Sequence, residues 1–141
     1  GAYAELLSHE MVRSIKDVYR DREFDLVTCV PMHKDTLRKR GYNQAELLAK
    51  ECARLLGTEY ADLLAKTKKN KTQHSIKAAE RAKNVIGVYS PINKNLIKGK
   101  RILIIDDIIT TGSTLGECAR ILNKCKCGEI CCCTLCTSLL I

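Results

Sequence analysis

The spacing of apolar residues changes several times along the chain, and each change marks an element. Tyr3, Leu7, Met11, Ile15 and Val18 recur three to four residues apart, which predicts an amphipathic helix over residues 2 to 19. FDLVTCV, residues 24 to 30, has no such stripe and reads as a buried strand stopped by Pro31. MHKDTLRKRGYNQ follows and reads as a basic connection broken at Gly41. Ala45, Leu48, Ala49, Cys52, Leu55 and Leu56 restore the helical period, and Gly57 closes this second helix. Leu63 to Ala65 suits a short strand. Residues 66 to 84, KTKKNKTQHSIKAAERAKN, are polar, basic and weakly periodic, as in a surface loop running into a short helix. Val85 to Tyr89 reads as a strand, residues 90 to 100 as a turn-rich connection, and Arg101 to Ile105 as a further strand. Gly112 opens a third helix with Leu115, Cys118, Ala119 and Leu122 on its inner face, and Ile130 to Cys136 supplies a last strand.

Strands that alternate with helices predict an α/β fold: a parallel sheet of about four to five strands flanked by helices, Rossmann-like in its layering. A chain of 141 residues is expected to form one domain, 1–141, with a core of its own. With 24 Lys and Arg against 16 acids, the net charge of +8 favours anionic partners. A phosphorylated small molecule, a nucleic acid, a membrane surface and a merely solvated basic face all fit that balance. No apolar run approaches the roughly 20 residues a membrane span needs. No secretory signal precedes the first helical pattern, the Gly-Ala start suits a chain trimmed at its N-terminus, and the cysteine usage leads to an expected cytoplasmic location.

Nine cysteines raise the question of a disulfide framework or a metal site. Cys131, Cys132 and Cys133 are consecutive in a strand-like run that also holds Cys136, and neighbours in a strand point to opposite faces. Cys125 and Cys127 form a C-x-C pair with no second half. Small buried hydrophobes in a reducing compartment account better for this placement.

The chemistry concentrates in RILIIDDIITTGSTL, residues 101 to 115. Unpaired carboxylates are costly to bury, so the strand must surface at Asp106 and Asp107. In a parallel sheet, ligands bind beyond the carboxyl ends of the strands. Thr110, Thr111, Gly112, Ser113 and Thr114 then form the turn into the next helix, where successive amides and the helix dipole favour an anion. The segment thus offers acceptors for sugar hydroxyls and, just after them, a cradle for phosphate. A P-loop is excluded, because no Gly-Lys-Ser/Thr follows, and so is the dinucleotide G-x-G-x-x-G. The plainer alternative is an N-cap turn beside solvated acids.

IIDDIITTGST resembles the phosphoribosyl diphosphate (PRPP) signature of type I phosphoribosyltransferases. VPMHKDTLRKRGYNQAELLAK, residues 30 to 50, is similar to the Pro-x-His, basic run and Arg-Gly-Tyr/Phe-Asn-Gln pattern of the ComF-like competence branch of that family. Thr72, Gln73, Arg81 and Asn84 fall on further marked positions of that branch, and the resemblance spans roughly residues 20 to 137. That branch usually carries an N-terminal cysteine-rich zinc ribbon, and this chain begins after the place where it would stand.

The resemblance implies a type I phosphoribosyltransferase fold and transfer of a phosphoribosyl group from PRPP to an unidentified nitrogen acceptor, with release of pyrophosphate. Asp106 and Asp107 would bind the ribose hydroxyls, and Thr110 to Thr114 the 5′-phosphate. Met32, His33 and Lys34 would form the pyrophosphate loop, with Mg²⁺ carried by PRPP rather than held directly by the protein. Lys68, Lys69, Lys71, Gln73 and Arg81 would belong to a flexible hood. His33 reads equally as a ligand or a surface histidine, and Arg38, Lys39 and Arg40 as a field over the site or a solvated face. Tyr42, Asn43 and Gln44 either reach the ligand or cap the next helix, and Asn43 is among the best N-caps. The alternative function is a non-catalytic competence protein in DNA uptake with a sensory or vestigial PRPP site, partnered by single-stranded DNA or a helicase.

Overall fold

Ile102, Leu103, Ile104 and Ile105 are fully buried, and the rest of the fold is assembled around them. The computed structural model describes residues 2–67, 87–107 and 112–134, with side chains from Ala4 onward. Its elements are α1 (Ala2–Tyr19), β1 (Leu26–Cys29), α2 (Lys34–Arg40), α3 (Gln44–Leu56), β2 (Glu59–Tyr60) and β3 (Leu64–Lys66). They continue with β4 (Tyr89–Pro91), α4 (Lys94–Ile97), β5 (Arg101–Asp106), α5 (Ser113–Lys124) and β6 (Glu129–Thr134). Strands β2, β1, β5 and β6 form, in that order, a parallel four-stranded sheet. The expected parallel sheet flanked by helices is therefore present.

The two-residue period of β5 divides the core. Leu103 and Ile105 pack with Val27 and Cys29 of β1 against Met11 and Ile15 of α1 and Leu48 and Cys52 of α3. Ile102 and Ile104 face the other way, into a layer built from Leu115, Cys118 and Leu122 of α5 together with Leu63, Leu64 and Tyr89. A strand buried on both faces reads as a continuous apolar run, which is why β5 shows no alternation in its sequence.

Helix α1 spans the expected residues, with Leu7, Met11 and Ile15 inward, but Val18 is 70% exposed. Tyr19 takes the inner position one turn after Ile15. Its hydroxyl donates to the Cys132 carbonyl at 3.0 Å and accepts from the Cys132 amide at 3.3 Å, which ties the helix end to β6.

At the amino end of β5, Arg101 and Asp25 exchange backbone and side-chain hydrogen bonds. Asp25 N–H donates to the Arg101 carbonyl at 2.8 Å, and the guanidinium forks onto both carboxylate oxygens at 3.1 and 3.2 Å. Those guanidinium bonds lower the Asp25 carboxyl to about 2.

Four elements differ from the sequence expectation. Residues 34–40 form α2 rather than an irregular connection. It has no buried residue, so no apolar stripe announces it. It is held by its caps: His33 Nδ1 accepts from the Asp35 amide at 3.1 Å, and Gly41 closes the helix at φ 83°. The strand expected from Val85 begins only at Tyr89, because Gly87 turns at φ 78°; Val85 and Ile86 lie outside the described residues. β4 pairs antiparallel with β3, and α4 occupies part of the connection expected from residue 90. β2 is too short for periodicity to reveal.

None of the eight described cysteines is in a disulfide, and Cys29, Cys52, Cys118 and Cys131 are buried, in keeping with their reading as small hydrophobes. Cys136 lies outside the described residues.

Gly128 sits where the α5–β6 connection passes β5. A Cβ there would stand 2.8 Å from the Gly99 carbonyl oxygen, a backbone atom that cannot swing away. Gly128→Ala is expected to cost about 1–3 kcal/mol in urea unfolding. Gly116→Ala, on an exposed turn of α5 with no neighbour within 4 Å, should instead stabilise by up to about 1 kcal/mol.

Candidate functional site at the carboxyl edge of the sheet

The carboxyl ends of β1, β5 and β6 are level, since Cys29 pairs with Ile105 and Asp106 with Thr134. Two connections leave this edge side by side. After β5 the described chain ends at Asp107 and resumes at Gly112, the N-cap of α5, which adopts φ 78°. After β1, it passes through Val30, Pro31, Met32 and His33 into α2. Val30 N–H donates to the Ile105 carbonyl at 3.0 Å, so the second connection departs from beside Asp106.

Asp106 is half-buried at the strand end, and Oδ1 accepts the Asp107 amide at 2.9 Å. Burial, followed by the adjacent Asp107 carboxyl, pushes the Asp106 carboxyl up to about 7, while its own hydrogen bond from the Asp107 amide and the Lys66 charge work in the opposite direction. Strand β5 thus delivers an acid to the edge of the core without a full counter-charge.

The β3–β4 hairpin covers this point. Lys66 stands 5.8 Å from the centre of the Tyr89 ring, and its ammonium is lowered by burial while the Asp106 charge acts to raise it. The Tyr89 phenol, raised by burial, is hydrogen-bonded by Thr114 and also acted on by the charge of Asp106. The hairpin therefore touches the start of α5 and lies within electrostatic reach of the acid. Lys66 opens the segment, residues 66 to 84, expected to form the hood, whereas the sequence reading gave Tyr89 no place beside the acid. The antiparallel pairing of β3 with β4 places the two opposite each other.

Of the residues expected on the phosphate turn, Gly112, Ser113 and Thr114 occupy the N-cap and first turn of α5. Thr110 and Thr111 lie outside the described residues, as do Lys68, Lys69, Lys71, Gln73 and Arg81. Met32 and His33 lie in the loop after β1, whereas Lys34 is already the first residue of α2. The His33 side chain is only 12% exposed, and its Nδ1 caps α2. Arg38, Lys39 and Arg40 are exposed, and Arg38 lies 3.6 Å from Asp35.

Asn43 caps α3 as expected, its Oδ1 accepting the Ala45 amide at 3.0 Å. It also donates Nδ2–H to the Val30 carbonyl at 3.3 Å. A recess of about 110 Å³ opens beneath the loop, lined in part by Cys29, Met32, Asn43 and Asp62. The edge therefore combines paired acids for hydroxyls with a helix start whose amides suit an anion.

A family model for the phosphoribosyl transferase domain matches residues 42–139. The chain is 31% identical over 129 residues to Competence protein F of Haemophilus influenzae, covering 88% of this chain and 56% of that protein. It is 30% identical over 101 residues to DNA utilization protein YhgH of Escherichia coli, covering 71% of this chain and 44% of that one. The chain thus spans about half the length of these curated relatives. Among solved structures, it aligns with an allosteric regulatory enzyme of purine biosynthesis at a TM-score of 0.60 and 21% identity, over 94% of this chain and 25% of the other. It aligns with adenine phosphoribosyltransferase from Saccharomyces cerevisiae at 0.59 and 17% identity, over 92% and 64% of the two chains. At these identities the structural matches speak for the fold.

The raised Asp106 carboxyl makes a signed prediction about stability. Between the ordinary value of 3.8 and about 7, the folded chain keeps a proton that the unfolded chain has released, so rising pH destabilises the fold through this window. Asp106→Asn, which mimics the protonated acid, should melt higher than the parent protein. The gain should grow between about pH 4 and pH 7 and level off above. A gain independent of pH in calorimetric scans would show that the acid is not held in this way.

Proposed function

This chain belongs to the phosphoribosyl transferase domain family, with its sequence relatives in the ComF-like competence group, and on that premise we propose that it binds PRPP and transfers its phosphoribosyl group to a nitrogen acceptor. The observation that carries the reading is the half-buried Asp106 at the end of the central strand, followed within one connection by the start of α5. Asp106 and Asp107 accept from the ribose 2′- and 3′-hydroxyls. The turn from Thr110 through Thr114 receives the 5′-phosphate on its amides and hydroxyls, where the dipole of α5 favours negative charge. Met32, His33 and the amide of Lys34 face the diphosphate.

Transfer breaks the bond between C1 and the diphosphate oxygen while a nitrogen lone pair closes on C1, and the ring oxygen shares the charge that develops. The protein's part is to hold the sugar still and to match the charge on the departing group. The carboxylate oxygens of Asp106 and Asp107, hard donors suited to Mg²⁺, would stand beside an ion that PRPP carries rather than hold it directly. When bound, the ion supplies neutralisation of the leaving diphosphate. Lys66, beside Asp106, adds a positive charge from the hairpin side.

A second reading draws on the names of the relatives, which point to competence and DNA utilization rather than to a metabolic product. In it, PRPP binding is retained as a signal, and the working partner is single-stranded DNA or a helicase-like protein. The chain's +8 charge supports a nucleic-acid surface only through its sign.

Titration calorimetry with PRPP and Mg²⁺ tests both readings. Asp106→Asn combined with Asp107→Asn should weaken PRPP by at least about tenfold, the loss expected from removing charged hydrogen-bond partners, while circular dichroism stays unchanged. Unaltered affinity would dismiss the acids as the ribose site. Pyrophosphate release in the presence of amine acceptors separates the enzyme from the sensor: binding without release favours the second reading.

A further inference from the structure

We propose that Asn43 is a positioning residue for the diphosphate-binding loop, acting through the carbonyl of Val30; the proposal rests on the phosphoribosyl reading above. A capping asparagine needs only its side-chain oxygen, and here that oxygen is committed to the Ala45 amide at 3.0 Å. The commitment sets the orientation of the amide group and leaves Nδ2 as a donor aimed back at β1. That donor meets the Val30 carbonyl at 3.3 Å, with the Cys29 sulfur at 4.0 Å as a weaker neighbour.

Val30 is the last residue of this connection held by the sheet. Its amide is taken by Ile105, immediately before Asp106, and its carbonyl by Asn43. Pro31 has no amide to offer, so the peptide of Val30 alone sets the direction in which Pro31, Met32 and His33 leave the edge. At the far end, His33 is pinned by its own bond to the Asp35 amide at 3.1 Å. The loop is thus clamped at both ends by side chains, one of which also carries the start of α3. A loop whose amides must meet a diphosphate gains from being set before the ligand arrives.

Capping and positioning can be separated by substitution. Asn43→Ser and Asn43→Asp both keep a good N-cap, and neither can donate to Val30: the serine hydroxyl is too short and the carboxylate carries no proton. Serine is uncharged, so a loss shared by both variants does not come from repulsion of the ligand. Asn43→Ala removes cap and donor together. The readouts are melting temperature and calorimetric titration of the full chain with inorganic pyrophosphate plus Mg²⁺, and separately with ribose 5-phosphate.

The expected result is that the serine and aspartate variants melt within a few degrees of the parent, bind ribose 5-phosphate within about twofold, and bind Mg²⁺-pyrophosphate about tenfold more weakly. The alanine variant should show the same pyrophosphate loss and a lower melting temperature. Undiminished pyrophosphate affinity in the serine variant overturns the proposal, and so does an equal loss of both ligands. If the parent binds ribose 5-phosphate and not pyrophosphate, this inference falls while the sugar-phosphate site stands. If it binds neither, the phosphoribosyl reading falls and takes the inference with it.

Discussion

A carboxylate at the end of a strand buried on both faces is the constraint on which this structure turns. Four consecutive fully buried aliphatics place β5 in the middle of the sheet, and the chain has to hand an acid to solvent immediately after them. Asp106 is left with part of its surface in the core and with the Asp107 carboxyl beside it, so its ionisation is disfavoured. The arrangement works against stability. A carboxyl that water solvates poorly gains more from a ligand's hydroxyls and accompanying cation than one already well hydrated.

The remaining elements can be understood by what they do to that edge. The Arg101–Asp25 lock holds the opposite end of β5, which keeps the strand from sliding along its neighbours. The Val30 amide ties the β1 connection to the residue before Asp106. The β3–β4 hairpin lays Lys66 and Tyr89 over the space between the acid and the first turn of α5. Each of these contacts comes from a different stretch of chain. The carboxyl edge of a parallel sheet is where such stretches meet, because every crossover helix returns the chain to the other side.

The basic character of the protein gains a location from the fold. Arg38, Lys39 and Arg40 on α2 remain in solvent, one short helix away from the loop after β1, and α2 buries none of its residues. Any field they set up is screened within about 10 Å at ordinary salt. The cysteines, by contrast, add little to the chemistry: burial pushes the thiol of Cys52 up to about 12 and that of Cys132 to about 11, so neither is a ready nucleophile at neutral pH.

Much of this was legible from residue order, because the signals were local. Helices α1, α3 and α5 follow from a 3.6-residue apolar stripe, and β5 from an unbroken aliphatic run. The proposal of an anion site at the β5–α5 connection draws on paired acids, a glycine and hydroxyls at a helix start, and the family resemblance rests on the same residues. Helix α2 was not legible, since it has no buried face and is held by its caps; neither was the start of β4, set by the turn at Gly87. The distant neighbours of Lys66, Tyr89 and Asn43 were decided only in three dimensions. A lysine in a basic tract, a tyrosine near a turn and an asparagine at a helix start have ordinary local explanations. What distinguishes them is the group from a distant segment that each one faces, and one-dimensional order carries no record of such distances.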